Sequence, residues 1–417
     1  MRIGIFTDSY PPFINGVSTS IKMLEDALKK QGHQVFIVTV NPENMKYKYE
    51  DEGNVIRIPG VPIGIYDYRL TGAYPFKAVN KIKKWNLDVI HSHTEFGIGS
   101  FARIIAKQFN IPLVHTYHTM YEDYVHYITK GYFSGPSKMI VEYLTNFYCD
   151  QTATELIVPT KKTYDLFKEK YKYARNVHIV PTGIEVERFY KERHKEKEIE
   201  DLRKVYGLSK KQPTILFVGR LGKEKNVELL IDAHAYLVKK YNAKLLIVGD
   251  GPDSDYFKQL AIKHKIEDNV IFTGKVPWED VTKYYQLGDI FATASHTETQ
   301  GLTVIEAMAA SLPVVAINDE SFSTVVVDDL NGYLFDTKRE YIKAMESLLD
   351  DPGKLKKFSH QARINADGYS SKYFAEKVLK VYETAISSAE TADEQKTMFN
   401  GFKSVLKGVL RGKNRRR

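Results

Sequence analysis

One cysteine, Cys149, in 417 residues leaves no internal disulfide framework and fits a reducing compartment such as the cytosol. No apolar run reaches the roughly 18 residues of a membrane-spanning helix. The opening Met1–Phe6 breaks at Asp8, too early for a signal-peptide core, and reads as a first strand. A nucleotide P-loop needs Gly-Lys-Ser or Gly-Lys-Thr, and neither occurs. A dinucleotide fold needs Gly-x-Gly-x-x-Gly after the first strand, where this chain has Asp8-Ser9-Tyr10-Pro11-Pro12. P-loop NTPases and NAD-dependent dehydrogenases are therefore discounted. A low-complexity linker and a short internal repeat are missing as well.

The length exceeds one ordinary core and suggests two domains. Apolar runs predict strands at 2–6, 34–39, 55–58, 88–92, 112–116, 155–158 and 177–180, with helices clearest at 17–30, 97–108 and 160–170. After a charged stretch at 190–204 a second series begins, with strands at 213–218, 244–248, 269–272, 289–293, 313–316 and 332–335. Apolar strands separated by amphipathic helices imply an α/β chain of two Rossmann-like, doubly wound domains facing across a cleft. The expected divisions are 1–185 and 186–370.

Glu298 and Glu306 bracket Glu298-Thr-Gln-Gly-Leu-Thr-Val-Ile-Glu306, between the strand at 289–293 and a helix over 302–310. A strand–loop–helix junction turns unpaired N–H groups and the positive helix end toward one point, which suits a phosphate. Alone, such a pair also fits a solvated helix start with a chance carboxylate. Upstream, the strand 214–218 runs into Gly219-Arg220-Leu221-Gly222-Lys223-Glu224-Lys225-Asn226. Its glycines permit close backbone approach, and Arg220 and Lys225 suit phosphate oxygens.

With these two segments, Gly249-Asp250-Gly251-Pro252, Gly274-Lys275-Val276, Asn15-Gly16-Val17 and Thr116-Tyr117-His118-Thr119, the chain resembles a retaining glycosyltransferase of family 4, with the GT-B fold, up to about residue 390. The resemblance implies a nucleotide-sugar donor held mainly by the second domain. Glu306 would take the ribose hydroxyls, and Glu298 the hydroxyls of the transferred sugar. The N–H groups of Gln300, Gly301 and Leu302 would lie near sugar and diphosphate. Arg220 and Lys225 would neutralise the leaving diphosphate, beside the backbone of Gly219. The base would lie near Gly251, Lys275 and Val276. From the first domain, Gly16 would approach the diphosphate, and His118 the reacting bond. A helix at 371–390 would cross back to the first domain. No metal is expected, because Arg220 and Lys225 make it redundant; Asp253-Ser254-Asp255 reads as a helix start. No other cofactor is expected. His91 and His93 have metal-compatible spacing but no third ligand, and are expected as strand-end residues lining the cleft.

Residues 391–417 contain eight Lys or Arg against two acids, a net +6 of the whole chain's +8. Phe399, Phe402, Leu406 and Leu410 share a helical stripe, and Lys403, Lys407 and Arg411 flank it. Such a tail reads as an interfacial helix on an anionic membrane surface, or as a helix docked on the protein itself. Nucleic acid is not expected as a partner. Phe76, Lys77, Lys81, Lys83, Lys84 and Trp85 form a second basic, aromatic-ended helix, and 117–148 is dense in aromatics. This pattern is similar to the bacterial diacylglycerol glucosyltransferases of the family, and implies UDP-glucose as donor and diacylglycerol or a related lipid as acceptor. The implied product is an α-monoglucosyl lipid for glycolipid or lipoteichoic acid anchors, made by a peripheral protein on the inner face of the cell membrane. A family 4 enzyme with another donor or a soluble acceptor, and a nucleotide-sugar 2-epimerase, remain the alternatives.

Overall fold

A computed structural model describes residues 1–13, 15–62, 69–72, 74–95, 97–118, 153–173, 175–298 and 300–390. Cys149, most of the aromatic segment 117–148 and the basic tail 391–417, with Phe399, Phe402, Lys403, Leu406, Lys407, Leu410 and Arg411, lie outside those residues.

The first sheet is built from β1 (Arg2–Phe6), β2 (Gln34–Val40), β3 (Lys48–Glu50), β4 (Val55–Ile58), β7 (Val89–Ser92), β8 (Leu113–Thr116), β9 (Glu155–Val158) and β10 (Val177–Ile179). β5 (Gly60–Pro62) and β6 (Arg69–Thr71) form a separate hairpin. The order is β10-β9-β8-β7-β1-β2-β4-β3, parallel except where β3 meets β4. Val and Ile fill these strands on both faces, as a sheet covered on both sides requires. One face is covered by α1 (Gly16–Lys30), and the other by α2 (Phe76–Lys84) and α3 (Gly97–Phe109). Beyond β9 the chain makes the short α4 (Lys161–Asp165).

The second sheet holds β11 (Thr214–Val218), β12 (Lys244–Val248), β13 (Val270–Phe272), β14 (Ile290–Thr293), β15 (Val314–Ile317) and β16 (Gly332–Phe335), all parallel, in the order β13-β12-β11-β14-β15-β16. Its helices are α5 (Glu196–Val205), α6 (Val227–Tyr241), α7 (Ser254–Lys263), α8 (Val281–Tyr285), α9 (Leu302–Ala309), α10 (Glu320–Ser323), α11 (Lys338–Leu349) and α12 (Pro352–Ala366). The charged stretch 190–204 is thus largely α5, whose Ile199 and Leu202 pack on the second core.

Among the parallel strands of each sheet the order reverses once, between β1 and β7 and between β11 and β14. Ligands of open parallel sheets bind beyond the carboxyl ends of the strands at such reversals. The chain leaves the first domain at Thr182–Ile184 and returns at 370–371, where the Ile184 N–H donates to Tyr369 O (2.9 Å) and the Ser371 N–H to Ile184 O (2.8 Å). Gly183 permits this crossing, since a Cβ there would stand 2.6 Å from Phe374 Cβ and 2.5 Å from Ser370 O. The returning helix, α13 (371–390), buries Phe374, Val378, Val381 and Tyr382 against the first core. At roughly 1.5–3 kcal/mol per large apolar side chain, those four residues hold the two domains together.

Candidate active site

The loops after β11, β12 and β13 are laced together by main-chain bonds. The Gly219 N–H donates to Val248 O (3.0 Å), the Leu221 N–H to Asp250 O (3.0 Å), and the Gly249 N–H to Gly274 O (3.1 Å). Asp253 Oδ2 accepts from the Lys223 N–H at 2.9 Å, which gives this carboxylate a structural task. Gly249 has φ 134° and a Cβ there would overlap the Gly219 carbonyl; a Cβ on Gly251 would overlap that of Leu221. These glycines are needed by the lacing itself. Beyond it Lys275 is exposed, and Val276 packs against the second core.

Arg220 pairs with Glu224, and Lys225 donates to Glu298 Oε1. The Lys225–Glu298 pair joins the loops on either side of the β11/β14 reversal, with side chains only 21% and 24% exposed. Opposite charges so shielded from water hold one another more firmly than a surface pair. Two residues the sequence placed in one site, 73 positions apart, are in direct contact.

Gly301 precedes α9 in the left-handed region, φ 72°, and a Cβ there would overlap the Phe322 ring. Among the described residues no side chain caps the first turn of α9. Leu302 opens that turn, and Glu306 lies one turn further on. Tyr285 donates to Glu306 Oε2 at 2.6 Å. Burial pushes the Glu306 carboxyl up to about 7, against the Tyr285 bond and the charge of Arg188, which pull it down. Arg188 stacks on Trp278, 3.6 Å from the ring centroid, in the segment after Val276.

Gln300 does something its sequence position did not announce. Its side chain accepts from the Thr182 N–H (2.7 Å) and donates to Thr182 O (2.9 Å), so the Glu298 loop is bolted to the interdomain crossing. Nearby, Lys162 of α4 bridges to Asp319 at 3.0 Å and reaches His296 O at 3.5 Å. Both domains therefore grip the loop that carries Glu298.

On the first sheet, the reversal is framed by the β1 and β7 ends. Asp8 accepts from Thr94 Oγ1 (2.6 Å) and the Ile98 N–H (3.0 Å), anchoring α3 where a dinucleotide fold would carry glycine. Asn15 caps α1, its Oδ1 accepting from the Ser18 N–H at 2.9 Å. At Gly16 an added Cβ would meet nothing within 4 Å among the described residues, so none of these demands glycine there. His118 follows β8, with Nε2 2.8 Å from His93 Nδ1; one ring donates and the other accepts. Burial drives His118 down to about 4 and His93 well below its usual value, so both are neutral at neutral pH. His93 Nε2 is buried and meets no hydrogen-bond partner among the described residues. His91 does not line a cleft as expected. It is fully buried, 2.7 Å from both Tyr382 on α13 and Thr116, because the sheet interior supplies partners for both ring nitrogens.

Tyr285, Arg188, Trp278 and the clamping role of Gln300 were not evident from the sequence alone. Trp278 carried a usable signal: it is one of two tryptophans and follows Gly274-Lys275-Val276-Pro277 directly. Among the described residues no group of three or more His, Cys, Asp or Glu could hold a metal ion.

Two parallel α/β domains, each presenting the carboxyl end of its strand-order reversal, with a double crossing between them, define a GT-B glycosyltransferase. Residues 14–188 match Glycosyltransferase Family 4 and residues 198–365 match Glycosyl transferases group 1. The chain belongs to glycosyltransferase family 4. It is 36% identical over 392 residues to the alpha-monoglucosyldiacylglycerol synthase of Acholeplasma laidlawii, covering 92% of this chain and 96% of that protein. The protein of that name from Streptococcus pneumoniae R6 is also 36% identical, over 97% of this chain and 92% of its own. Among solved structures, the sucrose-phosphate synthase of Thermosynechococcus elongatus superposes with TM-score 0.72 at 19% identity, over 93% of this chain and 99% of the other. Anabaena HepE in complex with UDP-glucose gives 0.68 at 17% identity, over 92% and 99%. At such identities the likeness is one of fold.

Proposed function

We propose that this glycosyltransferase moves glucose from UDP-glucose to 1,2-diacylglycerol with retention, giving α-monoglucosyldiacylglycerol at a membrane surface. The observation that carries the reading is the Lys225–Glu298 pair at the β11/β14 reversal, in a chain aligned end to end with two synthases of that name. Arg220 and Lys225 stabilise the diphosphate as the glycosidic bond breaks. Preorganised groups of this kind are each worth about 3–4 kcal/mol when they act on developing charge. Glu298, held by Lys225, accepts from hydroxyls of the glucose, and the N–H groups of Gln300, Gly301 and Leu302 face sugar and diphosphate. Glu306 accepts from the ribose, with Gly251, Lys275 and Val276 near the base. Gly16 leaves room for the diphosphate from the opposite domain. Neutral His118, oriented by His93, offers a hydrogen bond beside the reacting carbon without adding a charge. The acceptor hydroxyl enters on the face the diphosphate leaves, and passes its proton to the departing phosphate.

Among the described residues no helix is long and apolar enough to cross a membrane. The reading places the protein on the cytoplasmic face of the cell membrane, held by the basic tail and by α2, where Phe76 is 75% exposed. The test is a donor and acceptor comparison: UDP-glucose, UDP-galactose and GDP-mannose, each with diacylglycerol in anionic vesicles or with a soluble sugar. Preference for UDP-glucose with the lipid supports the reading. Turnover only with a soluble acceptor or another donor discards it.

A further inference from the structure

A cavity of about 590 Å³ lies at the amino end of the first sheet, the end opposite the reaction site. Its walls are the starts of β1 and β2, the Glu52–Asn54 turn, and the ends of α1 and α2. Arg2, Lys29, Lys81 and Lys84 line it against one carboxylate, Glu52. Lys29 is already paired with Glu25 (2.9 Å) and Asp51 (3.2 Å). Among the described residues no ion pair meets the side chains of Arg2, Lys81 or Lys84. Arg2 is held in place: its Nε donates to Trp85 O and its guanidinium lies 5.4 Å from the Phe36 ring centroid. Lys81 is admitted by Gly53, whose φ is 89° and whose place a Cβ would share with the Lys81 ammonium. Like charges gathered with so little counter-charge repel one another, and the native state keeps them together at a cost in stability. That cost is offset when an anion enters.

We propose that this cavity binds a phosphate-bearing anion, either a soluble phosphate ester or the headgroup of an anionic phospholipid. Its volume is that of a small-molecule site, roughly 300–1,000 Å³, and larger than one inorganic ion needs. Arg2 presents a planar fork to the phosphate oxygens, and Lys81 and Lys84 supply point charges. A headgroup held here, with Phe76 at the far end of α2, would seat the first domain on the lipid surface. The site stands apart from Glu298 and its partners, so its failure would leave the proposed reaction untouched.

Trp85 lines the cavity and reports on it. In a Trp278→Phe chain it is the single tryptophan. Titration of that full-length chain with sn-glycerol 3-phosphate should change Trp85 fluorescence saturably. Adding Lys81→Gln and Lys84→Gln should weaken the response about tenfold or more, as expected for losing two charged hydrogen-bond donors. Lys83→Gln, on the exposed face of the same helix, should leave it unmoved. Vesicles of phosphatidylcholine with phosphatidylglycerol, compared with phosphatidylcholine alone, separate the two sources. A matching Trp85 change with the anionic vesicles assigns the headgroup, and a response to glycerol phosphate alone assigns a soluble ester. No saturable response to either, or a response the double variant keeps in full, overturns the site.

Discussion

Glu306 gives a prediction whose size follows from its surroundings. Burial raises its folded pKa from 4.5 to about 7, despite the Tyr285 hydroxyl and the Arg188 charge. In the unfolded chain it ionises near 4.5, so between the two values the native state holds the extra proton. Stability therefore falls as pH rises through that window, and levels off above about 7. A shift of about 2.5 units corresponds to about 3 kcal/mol. Glu306→Gln keeps an acceptor for Tyr285 and removes the ionisation. Relative to wild type, the variant should gain about 3 kcal/mol between pH 4.5 and 7, or about 6–12 °C in the melting of the second domain. Calorimetry of both proteins from pH 4.5 to about 8 cancels every other titrating group in the difference. The same carboxyl, accepting from ribose hydroxyls, would be pulled down on donor binding, so UDP binding near pH 7 should release a proton. Titration calorimetry in buffers of unlike ionisation enthalpy reads that proton. If Glu306→Gln tracks wild type at every pH, the buried, proton-holding carboxyl is refuted.

Other consequences are equally open to measurement. Glu298→Gln should cut transfer by about 10²–10³ with little change in melting, since a neutral amide accepts more weakly from the glucose hydroxyls and no longer holds Lys225 by charge; near-normal turnover would remove both residues from the site. Gln300→Leu should cost about 2–3 kcal/mol, because it strips a buried main-chain N–H and C=O of Thr182 of their partners; urea unfolding with an unshifted midpoint would contradict the clamp. His93→Phe should lower kcat more than it raises KM for UDP-glucose, with His118 no longer held, whereas equal effects on both would make His93 merely structural. Removing 391–417 should weaken sedimentation with anionic vesicles and flatten its salt dependence; unchanged binding would shift the contact to the first domain.

The strands were legible because each is a short apolar run and the sheets are buried on both faces; those of the second sheet fall within one residue of their expected limits. Less legible were β3, β5 and β6, three residues each, too short to show a period. The charged 190–204 stretch hid α5, whose apolar face is only Ile199 and Leu202 amid charged residues. Within the site, Glu298 and Lys225 could be read from local loop chemistry, a carboxylate and a cation each after a strand. Their partnership could not, and neither could the hold of Gln300 on Thr182, 118 residues away, or of Tyr285 on Glu306. Such pairings come from which loops and helix ends the fold brings together, and no local motif contains both members. His93 illustrates the same limit: its spacing from His91 suggested one shared role, yet alternate residues of β7 and its extension found Tyr382 and His118.

The proposed reaction is retaining transfer of glucose to a lipid at the paired strand-order reversals. Its most direct test is to incubate the full-length protein with UDP-glucose and diacylglycerol in anionic vesicles, then determine the anomeric configuration of the product by NMR. An α-linked monoglucosyl lipid is the result predicted. A β-linked product, or UDP release with no glucolipid formed, would contradict it.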